Sequence, residues 1–181
     1  MHKAVSIICA SETSTLETVA LRGVLEYFGY TSSVHWVGSV EQFKDILAGK
    51  TKLSAMVVLS CHGTKKGFLG TDNTVIPLQD IPVRLAGKKI LSLGCVTGMQ
   101  QFAKKFISGG VKQYIAPPAY PEGNSALMFA SMFFWQLQRT KNTTKSWQEA
   151  SAILKDTEDR FHSYQKIKNG MSVDGDREIP L

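Results

Sequence analysis

Two residues able to work together chemically stand at the ends of two apolar runs. Met56 to Ser60 (M-V-V-L-S) leads into Cys61-His62-Gly63, and Ile90 to Leu93 leads into Gly94-Cys95. A cysteine thiolate is a strong nucleophile, and a histidine beside it can take the thiol proton and return it to a leaving group. Short apolar runs bounded by turn residues read as buried strands. If the two strands are parallel neighbours, imidazole and thiol meet at one edge of the sheet, where open α/β sheets place their sites. Gly94 lets the chain turn tightly beside the thiol. A helix starting just after Cys95 would lower the thiol pKa through the positive end of its dipole. The backbone N–H groups of Gly63 and Cys95 are candidates to stabilise an oxyanion. Taken singly, a cysteine at a strand end is most often a core residue, and a histidine there a hydrogen-bonded structural one. The pairing, each residue beside a glycine, is what points to chemistry.

The elements that must position this pair follow from periodicity. Ala4 to Ala10 is a buried first strand, and Ser14 with Glu17 fits a capping box opening a helix over Thr15 to Phe28. That helix carries Leu16, Val19, Ala20, Val24, Leu25 and Phe28 at helical spacing. Ser33 to Val37 is a second strand, Val40 to Leu47 a helix capped by Ser39, and Leu53 to Ser60 the third strand. The order β-α-β-α-β predicts a parallel sheet with right-handed crossovers. Gly67 to Gly70 and Thr74 to Leu78 read as a small hairpin, followed by a helical turn over Gln79 to Ala86. After Cys95 come an amphipathic helix (Gly98 to Ser108), a strand (Val111 to Ala116) and a proline-rich loop (Pro117 to Gly123). A strongly apolar helix (Asn124 to Gln138) and a last helix capped by Ser146, with Glu149 at the capping-box position and continuing to Ile167, complete the pattern. The predicted fold class is α/β: a three-layer α/β/α sandwich around a mainly parallel central sheet. It occupies one domain over residues 1–167, with a polar, flexible tail over 168–181.

Composition narrows the function classes. The 181 residues are 43% hydrophobic and 20% charged, an ordinary globular mix for one domain. No apolar run reaches the length of a membrane span, and the apolar N-terminal run reads as a strand, so a cytoplasmic location without a membrane is expected. The 3 cysteines are widely spaced and lack zinc-type spacing, which predicts free thiols and no metal or cofactor. The net charge is +6, but the lysines fall in scattered pairs (Lys65-Lys66, Lys88-Lys89, Lys104-Lys105) without interleaved aromatics. That is a solvated basic surface rather than a specific nucleic-acid footprint. Dinucleotide and P-loop motifs are absent. Cys9 and Cys61 read as core, and His35 and His162 as structural or surface residues.

The order of these residues resembles the caspase-like cysteine peptidases, in pattern most of all the CHAT-type branch. An apolar strand then His62-Gly63 is followed by an apolar strand, Cys95-Val96-Thr97-Gly98, an amphipathic helix, strand Val111 to Ala116, a proline loop and an aromatic helix. Trp147 to Ala152 is similar to the family's following Ala-rich helix, so the resemblance spans residues 3 to 155. It implies a cysteine endopeptidase with His62 as general base and acid, Cys95 as nucleophile, and the N–H groups of Gly63 and Cys95 as oxyanion hole. It implies no third carboxylate in the catalytic set and no cofactor, and a protein or peptide as substrate. Relatives are often held inactive until a partner, ligand or cleavage orders the active-site loops; Thr64 to Asn73 and Pro117 to Gly123 are such elements here. The family's primary pocket is lined by loops that in this chain offer Glu12 and Glu122, whose carboxylates would favour a Lys or Arg side chain. Gly94 departs from the small or acidic residue that many relatives carry before the nucleophile. The competing reading is an inactive caspase-like binding or sensor module that uses the strand-end cleft for a small ligand or peptide.

Overall fold

The computed structural model describes residues 3–121, 124–153, 160–168, 170–175 and 177–181. Its central strands are the near-continuous apolar runs, because both of their faces are covered. β1 (Ala4–Cys9), β3 (Met56–Ser60), β7 (Lys89–Ser92) and β8 (Gln113–Ala116) are buried along nearly their whole length. β2 (Thr31–Trp36), at the sheet edge, alternates partly buried with exposed residues over most of its length. The main sheet runs β11-β10-β9-β8-β7-β3-β1-β2. From β2 to β8 every neighbouring pair is parallel. β9 (His162–Ile167), β10 (Gly170–Val173) and β11 (Arg177–Ile179) join antiparallel.

Alternation along the strands feeds two cores, one on each side of the sheet. Ile8, Val57, Leu59, Ile90 and Tyr114 face α2 (Val40–Leu47) and α3 (Gln100–Ser108). Val5, Ile7, Val58, Leu91 and Ile115 face α1 (Thr15–Tyr27), α4 (Ser125–Thr140) and α5 (Thr143–Ile153). This is the three-layer α/β/α arrangement expected from the sequence. A second sheet, β4-β5-β6, is formed by Gly63–Thr64, Gly67–Leu69 and Val75–Pro77. Phe68 of its middle strand is fully buried, edge-on to Phe43, Phe102 and Phe106, and so anchors this hairpin to α2 and α3.

The structure corrects the sequence reading in four places. The last helix begins at Thr143, not Ser146: Asn142 Oδ1 accepts from the N–H groups of Thr144 and Lys145, while the Ser146 hydroxyl turns back to the Asn142 carbonyl. The stretch expected to continue it to Ile167 is instead strand over His162–Ile167, and the stretch expected to fray carries β10 and β11, with Met171, Val173 and Ile179 buried. Gln79 to Ala86 is a short 3-10 turn (Leu78–Asp80) and then extended chain rather than a full helical turn. In α1, Leu16 and Val19 are exposed and the residues turned inward are Thr18, Leu21 and Leu25. Among the described residues, no helix is long and apolar enough to cross a membrane.

Candidate active site

β3 and β7 are hydrogen-bonded parallel neighbours, and their register pairs Leu59 with Ser92. His62 lies three residues beyond that rung on one strand and Cys95 three residues beyond it on the other. The two paired strands therefore bring the segments that carry His62 and Cys95 to the same C-terminal edge of the sheet. Both line one cleft of about 420 Å3, whose walls include Thr13, Glu17, Leu16 and Leu127.

His62 is held from outside the strand. Its Nε2 is 2.6 Å from Thr13 Oγ1, and the Thr13 hydroxyl is 2.8 Å from Ser11 Oγ. Gly63 opens β4 immediately afterwards. The Leu69 N–H bonds the His62 carbonyl, which makes His62–Leu69 the hydrogen-bonded rung; Gly63–Phe68, next to it, is a non-bonded rung. The Gly63 N–H consequently points away from β5. A side chain at this position would put Cβ 2.1 Å from the Cys95 carbonyl oxygen, so only glycine allows the two dyad-bearing segments to approach.

Cys95 sits in a tight turn rather than at a helix start. α3 begins five residues later, at Gln100, so the helix start predicted directly after Cys95 is not there to act on the thiol. The turn is built from buried polar groups that satisfy each other. The Thr97 hydroxyl donates to the Gly94 carbonyl (2.6 Å) and lies 2.8 Å from Ser92 Oγ, while the Tyr114 and Tyr164 hydroxyls donate to the carbonyls of Thr97 and Gly98. Val96 is pinned with φ of 52°, a left-handed conformation costly for a β-branched residue, and its N–H bonds Ala119. The thiol is half-buried. Its pKa is raised, first by burial and further by the negative charge of Glu17, while its own backbone N–H opposes the rise. Cys61, beneath Gly94, is buried with its pKa pushed up by burial, as befits an inert core thiol; Cys9 is buried too.

Of the two predicted substrate carboxylates, the described residues include only Glu12. Glu12 is exposed in a short 3-10 turn and is not among the residues lining the cleft. Glu122 lies outside the described residues. The carboxylate that does enter the cleft is Glu17. Ser14 makes no side-chain cap, so the expected capping box does not form; Glu17 instead accepts a hydrogen bond from the Ser60 hydroxyl at 2.6 Å. Burial raises its pKa, with the Ser60 bond opposing. Glu17 and Thr13 are the site residues the sequence reading missed. Glu17 was absorbed into the capping pattern, and Thr13 belongs to a polar stretch with no distinguishing spacing. Among the described residues no group of three or more His, Cys, Asp or Glu is disposed to hold a metal ion.

Solved structures share this fold. A complex of the pro- and mature domains of gingipain R from Porphyromonas gingivalis superposes with a TM-score of 0.57 at 14% identity, over 87% of this chain and 44% of that one. The Arg-specific cysteine proteinase gingipain R alone gives 0.57 at 15% identity, over 86% of this chain and 43% of that one. This chain therefore spans less than half of either structure, and what it shares with them is the fold, a mainly parallel sheet between two helical layers. No family model matches the sequence, and no curated protein matches it.

Proposed function

We propose that this chain is a cysteine endopeptidase of the caspase-like type, with CHAT-type proteases as the branch its order of motifs fits. The observation that carries the reading is that His62 and Cys95, each just beyond one of two paired parallel strands, line one cleft. With Nε2–H donating to Thr13, the other ring nitrogen, Nδ1, takes the Cys95 proton as Sγ attacks the scissile carbonyl carbon. The carbonyl π electrons move to oxygen, and the N–H groups of Gly63 and Cys95 receive that oxyanion. His62 then gives the proton to the departing amine as the C–N bond breaks, leaving a thioester. Water attacks the thioester, His62 takes its proton, and thiol and carboxylic acid are released.

The same reading gives the cleft a preference for a basic residue on the acyl side. Glu17 supplies the negative charge at its wall, Leu16 and Leu127 supply apolar contact for the stem of a long side chain, and the fold neighbour is an Arg-specific enzyme. The substrate is a protein or peptide, and a reducing cytoplasmic setting keeps the free cysteines reduced.

The raised thiol pKa favours a second reading, a catalytically inactive caspase-like binding or sensor module that uses the same cleft for a small ligand or peptide. One experiment separates the two: labelling by an acyloxymethyl ketone peptide bearing Arg at its first position. Labelling of the wild-type chain, lost in Cys95→Ala and slowed by about two orders of magnitude in His62→Ala, is the expected result. Equal labelling of a folded Cys95→Ala variant sinks the assignment. Absence of labelling in the wild-type chain favours the module.

A further inference from the structure

A larger groove, about 800 Å3, lies away from the cleft between the β4–β6 hairpin and α3. Four lysines face it from two elements: Lys65 and Lys66 from the turn between β4 and β5, Lys104 and Lys105 from α3. No aspartate or glutamate lines it, while Val75 and Leu78 give it an apolar strip. Like charges gathered on one concave surface repel and raise the local positive potential, which is relieved by a complementary anionic occupant. Inorganic or small phosphate ligands gain nothing from the apolar strip. A chain that alternates carboxylates with apolar side chains uses both features.

We propose that this groove is a docking site for an acidic peptide segment of a partner protein. Each of its walls follows one of the two candidate residues along the chain. The lysine turn follows β4, which opens directly after His62, and α3 follows the Cys95 turn. Two side chains already tie the walls together: Gln101 donates to the Lys65 carbonyl (2.6 Å) and Lys105 Nζ to the Gln79 carbonyl (3.2 Å). A bound acidic segment adds ion pairs across the same gap. The surface stands independently of the peptidase reading, because docking requires no catalysis.

The test is fluorescence anisotropy with a fluorescein-labelled peptide of Glu and Asp interspersed with Leu and Phe, on the full chain. Expected are saturable, salt-sensitive binding, a loss of about tenfold or more in affinity in Lys66→Glu/Lys104→Glu, and little change in Lys44→Glu/Lys52→Glu, which alters net charge equally outside the groove. Circular dichroism verifies that each variant is folded. A second peptide with Ser in place of Leu and Phe is expected to bind more weakly. No binding of the first peptide, equal loss in both double variants, or competition by inorganic tripolyphosphate with no dependence on the apolar residues would each overturn the proposal.

Discussion

Glu17 illustrates how a residue's role is set by what it reaches rather than by what its sequence neighbours suggest. Its carboxylate leaves the helix terminus, takes the Ser60 hydroxyl and lines the cleft. Burial raises its pKa, so the folded state holds this proton more tightly than the unfolded one. The linked stability is present below the unfolded carboxylate range and is lost as pH rises through the raised folded value. Glu17→Gln keeps an acceptor for Ser60 and cannot ionise. Its Tm is expected to exceed that of the wild type at neutral pH, with the gap closing in acid, while turnover of Arg-containing peptides falls about 10- to 100-fold. A variant that loses stability instead would mean that the carboxylate is structural. Removing that charge also removes one cause of the raised Cys95 pKa, so iodoacetamide alkylation of Cys95 in Glu17→Gln is expected to half-saturate at lower pH. Thr13 is a positioning residue for His62. Thr13→Val is expected to lower kcat about tenfold with KM little changed and to shift the pH–rate profile, whereas a merely structural threonine would move Tm alone.

The elements around the dyad are fixed by close backbone approach. At Gly98 a Cβ would stand 2.3 Å from the Ala116 carbonyl oxygen and 2.6 Å from the Pro117 carbonyl carbon, both backbone atoms that cannot swing aside. Gly98→Ala is therefore expected to displace the nucleophile turn from β8 and lower stability by about 1–3 kcal/mol, read as a reduced urea midpoint with unchanged slope. The strands and helices that bracket this turn were legible because their apolar spacing is strong: α2 was expected over its observed span, Val40–Leu47, and the apolar run of α4 places Phe129, Phe133 and Phe134 in the core. That His62 and Cys95 would come to one sheet edge was legible from two apolar strands that each end beside one of them. What spacing could not show was the turn that replaces a helix start at Cys95, since that turn depends on Thr97, Tyr114 and Tyr164 meeting in space. β9 escaped notice for a related reason. Its Ser163 is buried because Gln113 donates to its hydroxyl, and its Tyr164 reaches the Gly98 carbonyl, so polar side chains occupy the inward positions.

Across the whole molecule, the antiparallel strands β9 to β11 extend the parallel sheet on the β8 side, adding Met171 and Ile179 to the core shared with α3. Read by its polarity alone, the segment was expected to be a flexible tail, whereas Asp174-Gly175 is the kind of dipeptide that joins paired strands. Asp174 ties the end of β10 to the start of β9, accepting from the Ser163 N–H (2.7 Å) and pairing with His162 Nδ1 (2.7 Å). Truncation after Lys168 is expected to lower Tm and promote self-association in size-exclusion chromatography, because it bares the ladder groups of β9; an unchanged monomer would show that these strands are dispensable. The neighbouring placement of the segments that carry His62 and Cys95 depends on the pairing of β3 with β7, not on the length of chain between them. The hairpin tip with Asp72 and Asn73 exposed is accordingly a place where evolution or an engineer can splice in new recognition sequence while the segments that carry His62 and Cys95 keep their strand pairing.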